Sequence, residues 1–190
     1  MKLDGLRVAV LATDGYETSE LTEPTRALQE AGATTTLISN HGGTIKGKTD
    51  ADLANVDLTL DAANPDDYDA LLLPGGVKNP DTLRQDESAV RFVRTIHDAG
   101  KPIAAICHAP WMLVEADVVR GRRVTSYPSL KTDLRNAGAE WLDEEVVVDQ
   151  GIVTSRSPKD IPAFNGMMLE EFAEGVHTGR VATSASRTTS

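Results

Sequence analysis

Short apolar runs alternate with amphipathic stretches along the chain. LRVAVLA at 6–12 is a compact β-type run; after the loop DGYET, residues 19–32 set Leu21, Ala27 and Leu28 at helical spacing and close on Gly32. ATTTLIS (33–39) reads as the next strand, and VDLTL (56–60) alternates with period two, as a half-exposed strand does. YDALLLPGG (68–76) is a buried strand ending in two glycines, followed by a helix over 87–100 with Val90, Val93 and Ile96 on one face. PIAAIC (102–107) is strand-like and HAPWMLVEA (108–116) passes directly into helix. Beyond it come a strand at 123–127, a helix at 129–138, a hairpin from 139–149 and 152–156 turning at Gln150-Gly151, and a last helix within 158–176. The remainder, 177–190, is small and polar and is expected to be a disordered tail behind a single domain over 1–176.

Strands alternating with helices at this spacing predict an α/β sandwich with a mostly parallel sheet covered on both faces. Ligands bind such folds beyond the carboxyl ends of the strands. Three loops therefore compete for the site: DGYET, PGGVKNPD and CHAP.

Residues 42–49, GGTIKGKT, satisfy the phosphate-loop pattern GxxxxGK[ST]. A true phosphate loop continues directly into a helix whose N-terminus holds the anion. Here Val56, Leu58 and Leu60 alternate instead, so the stretch reads as a basic surface turn leading into a β excursion.

Composition narrows the function. A formal charge of −10 sets the average surface against phosphate backbones and anionic membranes, so neither nucleic acid nor membrane is an expected partner. No apolar stretch is long enough to span a bilayer, and Val8 to Ala12 is too short for a signal-peptide core. A lone cysteine cannot close an internal disulfide, which agrees with a reducing compartment; the cytoplasm is expected.

That cysteine, Cys107, stands in AAICHAP where strand meets helix without a linker, the layout of a nucleophile elbow. Ala105 and Ala109, two residues to either side, are as small as such a sharp turn requires. A helix N-terminus favours thiolate over thiol. His108 follows at once, either as a helix-capping side chain or as a proton carrier for the sulfur. Glu17 lies on the same sheet edge; like Glu20 and Glu23 it can be read as a solvated first-turn carboxylate. If Glu17 instead meets the sulfur, its carboxyl must keep a proton and donate it in a hydrogen bond.

VAVLATDGYETSELTEP, DALLLPGG, the run from GKPIAAICHAP to NAGAEW, and VVVDQGIVTSRSPKDIPAF together resemble the ThiJ/PfpI superfamily, in its PfpI-like branch, over about residues 6 to 175. The resemblance implies a flavodoxin-like fold related to class I glutamine amidotransferase domains. It implies Cys107 as nucleophile, His108 as its partner, Glu17 as the carboxyl on the sulfur, and the amides at Gly76 and His108 as oxyanion donors. It also implies a third acid supplied by a neighbouring subunit from the loop after PGG, which corresponds to Asp81, and hence a homodimer or larger homo-oligomer. Members often carry glutamate at that loop position and CHGP at the elbow, where this chain has aspartate and CHAP. No cofactor and no metal is expected. The activities implied are a cysteine hydrolase of the stress response, acting on peptides or, in glyoxalase-III or deglycase fashion, on small carbonyl compounds. The alternative is a non-catalytic oxidative-stress sensor or chaperone built on an oxidisable cysteine.

Overall fold

Each apolar run becomes a strand. A computed structural model describes residues 2–178. In chain order the strands are β1 (Arg7–Leu11), β2 (Thr34–Ser39), β3 (Thr44–Lys46), β4 (Leu53–Asn55), β5 (Leu58–Thr59), β6 (Ala70–Leu73), β7 (Ile103–Ile106), β8 (Arg123–Val124), β9 (Glu140–Trp141), β10 (Val146–Asp149) and β11 (Ile152–Ser155). The helices are α1 (Thr18–Glu30), α2 (Lys78–Leu83), α3 (Glu87–Asp98), α4 (Pro110–Glu115), α5 (Lys131–Asn136) and α6 (Ile161–Glu174).

Seven strands form the main sheet in the order β10-β11-β7-β6-β1-β2-β5. All pairs are parallel except the β10–β11 hairpin, which turns at Gln150-Gly151 as expected. The central strands β6 and β7 are buried at every position, which is why their sequences are continuously apolar rather than alternating. Alternate residues along them feed two cores. Leu71, Leu73, Ile103 and Ala105 pack with Phe92, Val93 and Ile96 of α3 and with Met112 and Leu113 of α4. Leu72, Ala104 and Ile106 face the other way, with Leu21 and Leu28 of α1 and Phe164, Met168 and Phe172 of α6. Helices on both faces complete the flavodoxin-like layering.

Two expectations change in detail. The strand expected over 56–60 contracts to the two-residue edge strand β5, where Leu58 is half exposed and little burial rewards pairing. The loop after PGG closes into α2, with Pro80 near its start where a missing N–H costs nothing. The GGTIKGKT stretch forms β3, paired antiparallel with β4, with no helix after its lysines. From residue 179 on, the expected tail lies outside the described residues. His177, at its beginning, donates its backbone N–H to the Gly100 carbonyl at 2.9 Å. Among the described residues no helix is long and apolar enough to cross a membrane.

The chain leaves β1 for β2 on one side of the sheet and returns to β6 on the other. That reversal opens a crevice at the carboxyl ends of β1 and β6, beside the end of β7.

Candidate active site at the carboxyl edge of the sheet

Cys107 follows directly on β7 with a φ of 65°. A non-glycine residue takes this left-handed conformation at a cost of about 1–3 kcal/mol, so its surroundings must enforce it. Its N–H donates to the Ser155 carbonyl at 3.0 Å and its carbonyl accepts from the Tyr127 N–H at 2.8 Å. Ala105 and Ala109, both sealed from solvent, leave room for the turn. The elbow breaks the strand's alternation: Ala105 belongs to the α3 side of the sheet, whereas Cys107 faces α1.

What it faces there is Glu20. The expectation that Glu17 meets the sulfur is corrected: the carboxyl that faces Cys107 is that of Glu20, one helical turn further along α1. Glu17 is the residue preceding α1, and its carboxylate pairs with Lys48 of the β excursion. Glu20 is fully buried; its carboxyl oxygens lie toward the sulfur and the Gly75 amide, yet among the described residues neither completes a hydrogen bond. Gly75 makes the meeting possible. A Cβ there would lie 2.3 Å from Glu20 Oε2 and 2.7 Å from Cys107 Cβ. Asn79, buried at the start of α2, locks this loop by donating to the Pro74 and Gly75 carbonyls at 3.0 Å each and accepting from the Thr13 N–H at 2.8 Å.

The electrostatics of the pair differ from those of a thiol at a helix end alone. Burial first, then the neighbouring Glu20 carboxylate, push the Cys107 thiol up to about 12, against the pull of the Gly76 and His108 amides that donate to the sulfur. A thiolate favoured by the turn alone is therefore not what the site holds. Burial, reinforced by the charge on Glu17, also pushes Glu20 up to about 7. Two buried anions side by side are unfavourable, so between about pH 7 and about 12 carboxyl and thiol carry one proton between them. When that proton sits on Glu20, the sulfur is ionised and receives hydrogen bonds from the carboxyl and from both amides.

His108 Nδ1 lies 3.2 Å from Cys107 Sγ, and its Nε2 lies 3.2 Å from Ser129 Oγ. The ring stacks on Tyr127 with centroids 4.7 Å apart and meets Trp111 edge-on at 5.2 Å. Burial lowers its pKa, which keeps the imidazole neutral at neutral pH and free to take up a proton. Asp81 is exposed on α2 and lines a groove with Arg84, Glu87 and Arg91, while the outer nitrogen of the His108 ring meets Ser129.

Glu20, Lys48 and Ser129 join the site beyond the residues expected from sequence. Lys48 reaches it from the glycine-rich excursion and places a positive charge near Glu17, Glu20 and Cys107. Beside it opens a cleft of about 740 Å³ lined by Asp14, Lys46, Lys48 and Lys78. Glu20 carried one signal in the sequence, its place one turn after Glu17 on the sheet-facing side with Leu21. Ser129 carried none.

Residues 6–171 match the model of the DJ-1/PfpI family. The chain belongs to that family. It is 47% identical over 161 residues to Protein/nucleic acid deglycase 2 of Escherichia coli, covering 84% of this chain and 93% of the relative. Its identity to General stress protein 18 of Bacillus subtilis is also 47%, over 163 residues, covering 85% and 94% of the two chains. The crystal structure of Drosophila melanogaster DJ-1beta superposes with a TM-score of 0.82 at 30% identity, covering 93% of each chain. Similarity to DJ-1/PfpI proteins thus extends from the elbow to the whole sheet and its helices.

Proposed function

We propose that this chain is a cysteine-dependent hydrolase of the stress response, of the deglycase type found among its relatives. The Cys107 thiolate adds to the electrophilic carbonyl carbon of a small carbonyl compound, of its adduct with an amine, or of a peptide. The oxygen takes up the electron pair and is held by the N–H groups of Gly76 and His108, both of which already point at the sulfur. Glu20 keeps the proton that the thiol gave up. His108, 3.2 Å from the sulfur, takes up a proton from solvent and gives it to the amine that leaves an adduct or a peptide, then takes one from the water that opens the thioester and returns it to solvent. With a free dicarbonyl, which has no leaving group, the hydrogen on the hemithioacetal carbon moves to the neighbouring carbonyl carbon to give that thioester. The observation that carries this reading is the sulfur held in a left-handed turn between a buried carboxyl, two amides and an imidazole.

The reading includes a homodimer or larger homo-oligomer in which the exposed Asp81 of one subunit supports the His108 of another, and a cytoplasmic location. A second reading, an oxidation sensor or holdase without turnover, is favoured by the sulfur being the sole thiol: a sulfenic acid formed there has no second thiol in the chain with which to close a disulfide. One panel separates them, with methylglyoxal, a methylglyoxal-modified amine and an unstructured peptide as substrates. Cys107→Ala is expected to lose at least about 10³-fold in turnover with an unchanged melting temperature. Asp81→Ala is expected to lose activity in protein whose solution mass exceeds that of one chain. Undiminished turnover by Cys107→Ala would sink the hydrolase; oxidation of Cys107 by mild peroxide, with no turnover on any substrate, would favour the sensor.

A further inference from the structure

At the opposite end of β7 from Cys107, a second buried carboxylate faces a second ligand-type side chain. Glu171, in the last turn of α6, is 5% exposed. Its Oε1 lies 3.0 Å from Nε2 of His177, yet both atoms are sealed from solvent and neither completes a hydrogen bond. Among the described residues no hydrogen bond offsets the desolvation of these two facing atoms, and only their mutual attraction as an ion pair opposes it. Glu174 brings a third donor, and one ligand atom from each of Glu171, Glu174 and His177 lies within 4.8 Å of the others. The backbone holds this arrangement. α6 ends at Gly175 with a φ of 77°, the chain doubles back, and the His177 N–H is anchored on the Gly100 carbonyl at 2.9 Å.

We propose that Glu171, Glu174 and His177 bind one divalent transition-metal ion of the zinc class, which clamps the segment after α6 to the turn that precedes β7. An ion about 2.0–2.2 Å from each donor needs donor atoms roughly 3–3.5 Å apart, a spacing that Glu171 and His177 already meet and that a rotation of the Glu174 side chain completes. One imidazole nitrogen with two carboxylates selects zinc, cobalt or manganese over magnesium or calcium, which take oxygen donors. The carbonyls at the end of α6 add the negative end of the helix dipole. Glu174 is exposed, which gives the ion a way in and leaves room for water in its remaining positions. His177 lies beyond residue 171, where the family match ends, so the site belongs to this chain rather than to the shared fold. It also lies at the opposite sheet edge from the sulfur, so the ion acts on stability and not on turnover.

The test uses full-length, untagged, metal-stripped protein carrying Cys107→Ala, so that the active-site sulfur cannot take the metal, with zinc chloride as probe. Calorimetry is expected to find one equivalent, and the melting temperature is expected to rise with zinc. His177→Ala and Glu171→Gln should each weaken binding by more than about tenfold; Glu174→Gln, at an exposed position, should weaken it as well. Three results would overturn the proposal. The parent protein binds no zinc at concentrations on the order of 100 µM; the same equivalent persists in the His177 and Glu171 variants; or His177→Ala lowers the melting temperature equally with and without zinc, as loss of a plain ion pair would.

Discussion

The two ends of β7 present the same problem and resolve it differently. At each, a carboxylate from a helix on the α1–α6 face is buried against a side chain that binds protons or metals: Glu20 against Cys107, Glu171 against His177. At the carboxyl end, backbone amides from Gly76 and His108 converge on the sulfur, and one proton is shared between carboxyl and thiol. At the amino end, among the described residues, no amide converges on the facing atoms and neither completes a hydrogen bond. A buried pair met by donors and a strained turn is arranged for proton transfer. A pair on which no such donor converges is arranged for a cation.

The largest effect that could break this contrast comes from Gly75. Gly75→Ala would drive a methyl group into Glu20 Oε2, Cys107 Cβ and the Ile106 carbonyl, at 2.3, 2.7 and 2.7 Å. Two of those neighbours are backbone or the first side-chain atom and cannot swing aside. Loss of about 3 kcal/mol or more is expected by chemical denaturation, together with loss of Cys107 alkylation. A variant that melts and alkylates like wild type would mean that carboxyl and sulfur are not in contact across this glycine.

The Cys107 end was largely legible. A strand that stops at a cysteine and restarts as a helix, with alanines two residues to either side, leaves little choice but an elbow, and the alternation of apolar runs fixes which loops share its edge. The sequence does not tell Glu17 from Glu20 as the carboxyl on the sulfur because both lie on the same side of α1, and burial, the property that separates them, is a tertiary quantity. Glu20 reaches the sulfur only because Gly75 leaves the space, and that notch joins residues far apart in the chain. The alternation after GGTIKGKT already marks it as a β excursion, yet nothing local in it reveals that Lys48 returns to the site. The Glu171–His177 pair was invisible for a similar reason: a histidine in a small, polar tail carries no pattern until the chain doubles back at Gly175.

Next in size is the cost of burying charge at Glu20. Its folded pKa, about 7, lies above the usual 4.5. Below pH 4.5 the carboxyl is protonated in both folded and unfolded chains and costs nothing. As pH rises toward 7 the unfolded chain ionises first, and stability falls by about 1.4 kcal/mol per unit of difference, or roughly 3 kcal/mol in all. Glu20→Gln, which cannot ionise, is therefore expected to be more stable than wild type at pH 8 by about that amount and equal to it at pH 4. If Glu20 holds the shared proton, the same variant keeps a neutral donor on the sulfur, and the pH midpoint of Cys107 alkylation should stay within about one unit of wild type. A midpoint several units lower would mean that Glu20 is ionised in the resting protein, and the shared proton would have to be abandoned.

The smallest effect concerns Lys48, and it is the most exacting because it must be small in one measurement and visible in another. Its side chain is 66% exposed, so its ion pair with Glu17 is screened and contributes at most about 1 kcal/mol to folding. Lys48→Met should thus leave the melting temperature nearly unchanged. Its charge nevertheless acts on both Glu20 and Cys107, and removing a nearby cation disfavours the thiolate. Alkylation of Cys107 at neutral pH should slow a few-fold in dilute buffer. The difference should shrink in about 1 M salt, where screening acts within about 3 Å. A slowing that persists unchanged in high salt would mean that Lys48 acts by shaping the Gly43–Thr49 turn and not through its charge, and the glycine-rich excursion would then be structural support for the site and no part of its electrostatics.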